Sequence, residues 1–159
     1  MCKDLLCQLS KKMGTVCPPT VYFETIVYED ALLPILPFDT IHIDEASSVC
    51  LDVIEQYGNQ AELYLPDVRF KRYAYEDVVN SAHLEYVSTL TFISEQHDCD
   101  DFAAYLFGQW AGLAWTNVHA LCWFIDENGK FWFIEPQTKK ISDKLDSWQG
   151  KSLRFLLGR

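Results

Sequence analysis

The chain is poor in positive charge: 13 lysines and arginines stand against 23 aspartates and glutamates, a net charge of -10 over 159 residues. Coulomb repulsion and the counterion physics of polyanions both work against such a surface, so nucleic acid is not an expected partner. No run approaches the roughly 20 apolar residues of a membrane span, and no membrane association is expected. Met1-Cys2-Lys3-Asp4-Leu5-Leu6-Cys7 lacks a basic stretch leading into a sustained apolar run, so it does not read as a secretory signal. No two cysteines have CxxC spacing, which argues against a structural zinc site. The six cysteines are 2, 7, 17, 50, 99 and 122, and the last three stand alone inside periodic segments. Free thiols in a reducing cytoplasm, the host cytoplasm if the protein is viral, are the expectation. Internal repeats and low-complexity segments are absent.

What is abundant is apolar and aromatic. The composition is 49% hydrophobic, with 5 Trp, 8 Tyr and 10 Phe, enough for one buried core and too little for two ordinary domains. A single domain over residues 1 to 159 is expected. A helix-like arm covers 1 to 19, ending at Cys17-Pro18-Pro19, and 20 to 28 reads as a strand. A helix is predicted over 44 to 57, capped by Asp44 and stopped at Gly58-Asn59. Short extended pieces follow at 63 to 65 and 68 to 73, then a helical turn or two at 75 to 82. A second helix starts at Cys99, because Phe102, Ala103, Leu106, Phe107 and Trp110 share one stripe. Two strands, 115 to 125 and 130 to 136, and a closing strand at 152 to 157 complete the reading.

The stretch His97-Asp98-Cys99-Asp100-Asp101-Phe102-Ala103 places a cysteine at a helix start. Amide donors and the helix dipole favour a thiolate there. His119 follows twenty residues later and Glu135-Pro136-Gln137 sixteen after that, supplying a base and a group to orient it. Gln96 is a candidate side-chain donor to an oxyanion hole. The three aspartates complement a helix N-terminus, yet their charge raises the thiol's pKa; a divalent cation would cancel that field, and oxygen-only ligands suit calcium. Each residue has a blander reading: Cys99 as a half-buried thiol, His119 as a hydrogen-bonded core histidine, and Trp110, Trp115, Trp123 and Trp132 as core. His97 adjoins the site, whereas His42 and His83 carry no spacing argument.

The linker Asp126-Glu127-Asn128-Gly129 decides whether His119 and Glu135 can meet, since side chains alternate faces along a strand. A two-residue Asn-Gly turn puts them on opposite faces. A three-residue loop with Gly129 left-handed pairs 126 with 130 and puts both on one face, a diagonal step apart. A still longer loop would set them directly opposite. The triad reading therefore requires a loop longer than the commonest one for this dipeptide.

Asp98-Cys99-Asp100-Asp101-Phe102-Ala103, His119-Ala120 and Phe133-Ile134-Glu135-Pro136-Gln137-Thr138, in that order, resemble the papain-like protease domain of the Marasmius-type mushroom agglutinins and related stand-alone domains, some in bacterial viruses. The resemblance covers about residues 63 to 140 and leaves 1 to 60 unrecognised. It implies an α+β, papain-like or transglutaminase-like fold, with a nucleophile helix packed on an antiparallel sheet. It also implies a calcium-dependent cysteine hydrolase of peptide or protein substrates, with Cys99, His119 and Glu135 as triad and Asp100, Asp101, Gln137, Glu76 and Asn80 as metal ligands. The Cys-to-His segment is shorter than that family's. Acyl transfer to an amine is one alternative; a non-catalytic viral or host-interaction protein retaining the fold is the other.

Overall fold

The computed structural model describes residues 32 to 58 and 60 to 159, so the expected arm and the strand over 20 to 28 lie outside the described residues. Strand β1 (Asp39–His42) leads directly into helix α1 (Ile43–Gln56). Its cap is His42, not Asp44: the ring Nδ1 accepts the Asp44 N–H at 3.3 Å, while Asp44 and Glu45 fill the first turn, where negative charge favours the dipole. Ala46, Cys50 and Ile54 recur every four residues as the buried stripe. Gly58, at φ +111°, ends the helical stretch in a conformation that favours glycine.

Strands β2 (Glu62–Tyr64) and β3 (Arg69–Arg72) follow, and β3 pairs antiparallel with β1 in a two-stranded sheet. The single helical stretch expected after Tyr73 is two short helices, α2 (Tyr75–Val79) and α3 (Ala82–Ser88), with Ser81 capping the second through the His83 N–H. Helix α4 (Cys99–Gln109) then precedes β4 (Gly112–Thr116), β5 (Ala120–Ile125), β6 (Phe131–Glu135), β7 (Lys140–Ser142) and β8 (Leu153–Leu157). The strand expected from 115 to 125 is therefore two strands joined by a tight turn, and His119 sits in that turn just ahead of β5.

The larger sheet has the order β2-β8-β4-β5-β6-β7, with β2 and β8 parallel and every other pair antiparallel. All six residues of β5 are buried. On one face Leu121, Trp123 and Ile125 join Phe131 and Phe133 under Ala46, Cys50 and Ile54 of α1. Trp123 stacks between Phe70 and Phe131, at centroid distances of 5.3 and 5.0 Å, and a Cβ on Gly112 would run into its indole. On the other face Ala120, Cys122, Phe124 and Ile134 pack under Val78, Leu84, Val87, Phe102, Ala103 and Leu106.

The expected architecture is corrected by this arrangement. The described residues form eight strands in two sheets; the main sheet is mixed, not antiparallel, and apolar side chains cover both of its faces. Two of the four helices have fewer than eight residues. A hydrophobic face on each side of β5 demands two covering layers, which one nucleophile helix cannot supply. Among the described residues no helix is long and apolar enough to cross a membrane.

The β5–β6 hairpin has the three-residue loop. Cys122 lies opposite Ile134 and Ile125 opposite Phe131, Asp126 N–H donates to Lys130 O at 2.9 Å, and Gly129 takes φ +81°. The buried Asp126 carboxylate selects this loop over the shorter turn. Its Oδ1 accepts the Asn128 and Lys130 N–H groups at 2.8 and 2.9 Å, and its Oδ2 accepts Trp132 Nε1 at 2.8 Å.

Candidate functional site

Asp98 caps α4 in extended conformation, its N–H donating to Asp101 Oδ2 at 3.1 Å, and its Oδ2 accepts the Glu95 N–H at 3.0 Å. That last bond helps hold Glu95 in the left-handed region, at φ +62°. Cys99 is thus the first helical residue and is half-buried. Burial pushes its thiol pKa up, a bond from the Ala120 N–H pulls it down, and the charges of Asp98 and Asp100 push it up again, for a net rise. Helix position alone does not produce a thiolate here. Asp98 and Asp100 share a hydrogen bond, which lowers the pKa of Asp98 and raises that of Asp100.

His119 is positioned by Thr116. The Thr116 N–H donates to His119 O at 2.9 Å, and Thr116 Oγ1 accepts the N–H groups of Val118 and His119 at 3.2 and 3.0 Å. The ring's Nε2 meets Glu135 Oε2 at 2.7 Å. Glu135 is 2% exposed, so its carboxylate must be satisfied internally. Gln149 Nε2 donates to the same Oε2 at 2.8 Å, and the Gln137 N–H reaches Oε1 at 3.4 Å. Trp148 packs edge-on against the His119 ring at 4.9 Å. The segment carrying Trp148 and Gln149 reaches this place because Thr116 Oγ1 donates to Gln149 O at 2.6 Å and Gly150, at φ +111°, passes where any Cβ would meet Asn117 and Thr116.

Cys99, Asp100 and the run from Trp115 to Ala120 line an open cavity of about 340 Å³. The structure therefore brings Cys99 and His119 to one cavity and His119 to Glu135. The side-chain hydrogen bond that His119 makes goes to Glu135, and none joins it to the Cys99 sulfur among the described residues. Gln96 is exposed in a turn and is not among the residues lining the cavity. His97 is tied through Nδ1 to Thr91 O at 2.8 Å.

The group of possible metal-binding atoms that forms among the described residues is Asp98, Cys99 and Asp100, within 4.8 Å of one another. Asp101 closes the cap, Gln137 offers its backbone to Glu135, and Glu76 and Asn80 are exposed on α2 and its C-cap, with Asn80 N–H bonded to Glu76 O. Two carboxylates beside a sulfur would give calcium only part of the six to eight oxygens it takes. Thr116, Asn117, Trp148 and Gln149 had no place in the sequence reading; the Trp-Gln-Gly run before β8 is the one signal for the last two.

No family model and no curated protein matches the chain. Chains of solved structures do match it in fold, among them the following two. The PSL1a–E64 complex superposes with a TM-score of 0.62 at 19% identity over 74% of this chain and 50% of that one. The Polyporus squamosus lectin bound to the human-type influenza-binding epitope Neu5Aca2-6Galb1-4GlcNAc gives 0.57 and 18% over 74% and 49%. The likeness shows the fold. The chain spans about half the length of either structure, and one of them is named as a lectin. The assignment to a papain-like protease family is corrected accordingly, because identities this low carry no catalytic role. The reading as a cysteine hydrolase is corrected with it.

Proposed function

We propose that the described domain is a non-enzymatic binding module whose ligand is a neutral carbohydrate, seated in the cavity formed by Cys99, Asp100 and residues 115 to 120. The observation that carries this is the mixture of surfaces there: the indole of Trp115 is 44% exposed beside the carboxylate of Asp100 and the amide of Asn117. A ring face takes the C–H side of a sugar, while carboxylate and amide groups take its hydroxyls as donors and acceptors. Asp98 and Asp100 make the rim acidic, which disfavours an anionic sugar and replaces the expected peptide partner with a neutral glycan. A lectin among the structures of similar fold supports a carbohydrate ligand; its own epitope includes the anionic Neu5Ac, so neutrality here rests on the acidic rim alone. The test is an array of soluble glycans followed by calorimetry. Trp115→Ala is expected to weaken a binding glycan roughly thirtyfold, about 2 kcal/mol; an array with no neutral glycan bound would end the proposal.

A second reading is favoured by one observation: Cys99 and His119 line the same cavity, and Glu135 holds the imidazole. In it Cys99 captures an electrophile such as an epoxide: the sulfur bonds to one ring carbon as that carbon's C–O bond opens, and the thiol proton passes through the His119 ring to the freed oxygen, so nothing leaves and the adduct carries the whole ligand. The PSL1a structure is a complex with E64. Intact-mass analysis after incubation with E64 tests this reading. A Cys99 adduct that His119→Ala suppresses supports it, and an unmodified thiol removes it.

A further inference from the structure

The sheet face on the α4 side continues past that helix as a row of three aromatic rings, one from each of three neighbouring strands. Trp115 of β4 lies opposite Phe155 of β8, and Phe155 lies opposite Glu62 of β2, with Tyr64 two residues along on the same face. The Tyr64 and Phe155 centroids are 5.5 Å apart, and those of Phe155 and Trp115 are 5.9 Å apart. Tyr64 is 50% exposed, so the row ends in an open ring whose hydroxyl donates to Glu62 Oε2 at 2.6 Å. Glu62 also lines a second cavity, of about 430 Å³, and Asn117 lines both cavities.

Resting on the carbohydrate reading above, we infer that the aromatic row is an extension of the cavity that binds the further units of a single, twisted, neutral oligosaccharide chain. Trp115 belongs to both surfaces, so a ligand seated in the cavity leaves along the row. Ring spacing of this size is on the scale of one sugar unit. Successive rings are turned by 50° and 47°, which suits a chain that rotates from unit to unit and does not suit a flat crystalline surface. The row ends in a carboxylate and a phenol, polar groups for the hydroxyls of the outermost unit.

Calorimetry with N-acetylglucosamine, its dimer and its tetramer tests the extension, with crystalline chitin as a pull-down control. Affinity is expected to climb with chain length, and Tyr64→Ala to lower tetramer affinity roughly two- to tenfold while leaving the monosaccharide unchanged. Tyr64→Phe, which keeps the ring, is expected to retain the tetramer affinity, and thermal melts of both variants report on folding. A monosaccharide bound as tightly as the tetramer, a Tyr64→Ala variant with an undiminished gain, or capture by crystalline chitin in preference to the tetramer would overturn the extension and leave the cavity standing. Failure of all three sugars to bind while another glycan on the array does would also overturn the row as drawn. No binding to any glycan would remove both.

Discussion

Gln149 donates to Glu135 at 2.8 Å through the same carboxylate oxygen that His119 engages at 2.7 Å. One residue from an irregular segment and one from a strand turn thus converge on a buried carboxylate at the end of β6. The arrangement fixes the imidazole and ties the segment before β8 to the sheet.

Removing the amide donor leaves that oxygen with one partner in a site almost without solvent. Gln149→Leu is expected to destabilise the fold by about 1 to 3 kcal/mol, read as a lower midpoint in urea unfolding. An unchanged midpoint would mean that Gln149 is not ordered on Glu135 in solution.

The pair also sets a tautomer. Glu135 accepts two bonds at Oε2, so His119 Nε2 carries the proton and Nδ1 remains an acceptor. Long-range nitrogen–proton NMR of the ring is expected to show the Nε2–H form, and Glu135→Gln to weaken that preference. The Nδ1–H form in the native protein would contradict the network.

Gly150 permits the approach of this segment. A side chain there would be strained at φ +111°, and its Cβ would stand 2.7 Å from Asn117 Oδ1 and 2.8 Å from Thr116 Oγ1. Gly150→Ala is expected to cost about 1 to 3 kcal/mol and, by displacing Trp148 and Gln149, to weaken glycan binding as well. Stability and calorimetry on the same variant check both; native values in each would show that the segment docks differently.

Two buried thiols make the fold sensitive to alkali. Burial pushes Cys50 up to about 12, and burial with the charge of Glu135 pushes Cys122 up further. An unfolded thiol ionises near ~8.5, so above that pH the unfolded chain releases protons that the native state keeps. Stability then falls as pH rises, by roughly 1.4 kcal/mol per pH unit for each thiol until its folded value is reached. Urea unfolding at a series of alkaline pH values should show this slope, and Cys50→Ala should flatten it. At Cys99 the neighbouring charge works the same way: Asp100→Asn is expected to move the alkylation profile of that thiol to lower pH.

Much of the positioning was legible from residues close in sequence. The start of α4 follows from Asp98 and Asp101 around an apolar stripe, and the shared face of His119 and Glu135 follows from the three-residue loop that Asp126 holds. What was hidden depends on distant partners. Gln149 and Trp148 lie in a stretch with no period, and only the close approach of Gly150 to Thr116 and Asn117 brings them in. His42 caps α1 because β1 runs straight into the helix, which outweighs the better capping propensity of Asp44. The parallel pairing of β2 with β8 joins segments some ninety residues apart, and no local pattern marks such a pair. The turn at 117 to 119 interrupts an apolar run that reads as one strand, since Thr116 supplies the hydroxyl that folds it back.

The most direct test of the binding-module account is a heteronuclear NMR titration of the protein with a neutral glycan taken from the array. The account predicts shift changes centred on the Trp115 indole and the Asn117 and Val118 amides, abolished by Trp115→Ala in a variant that keeps the native spectrum elsewhere. A bound glycan that moves a different surface, or a spectrum that no neutral glycan moves, would contradict it.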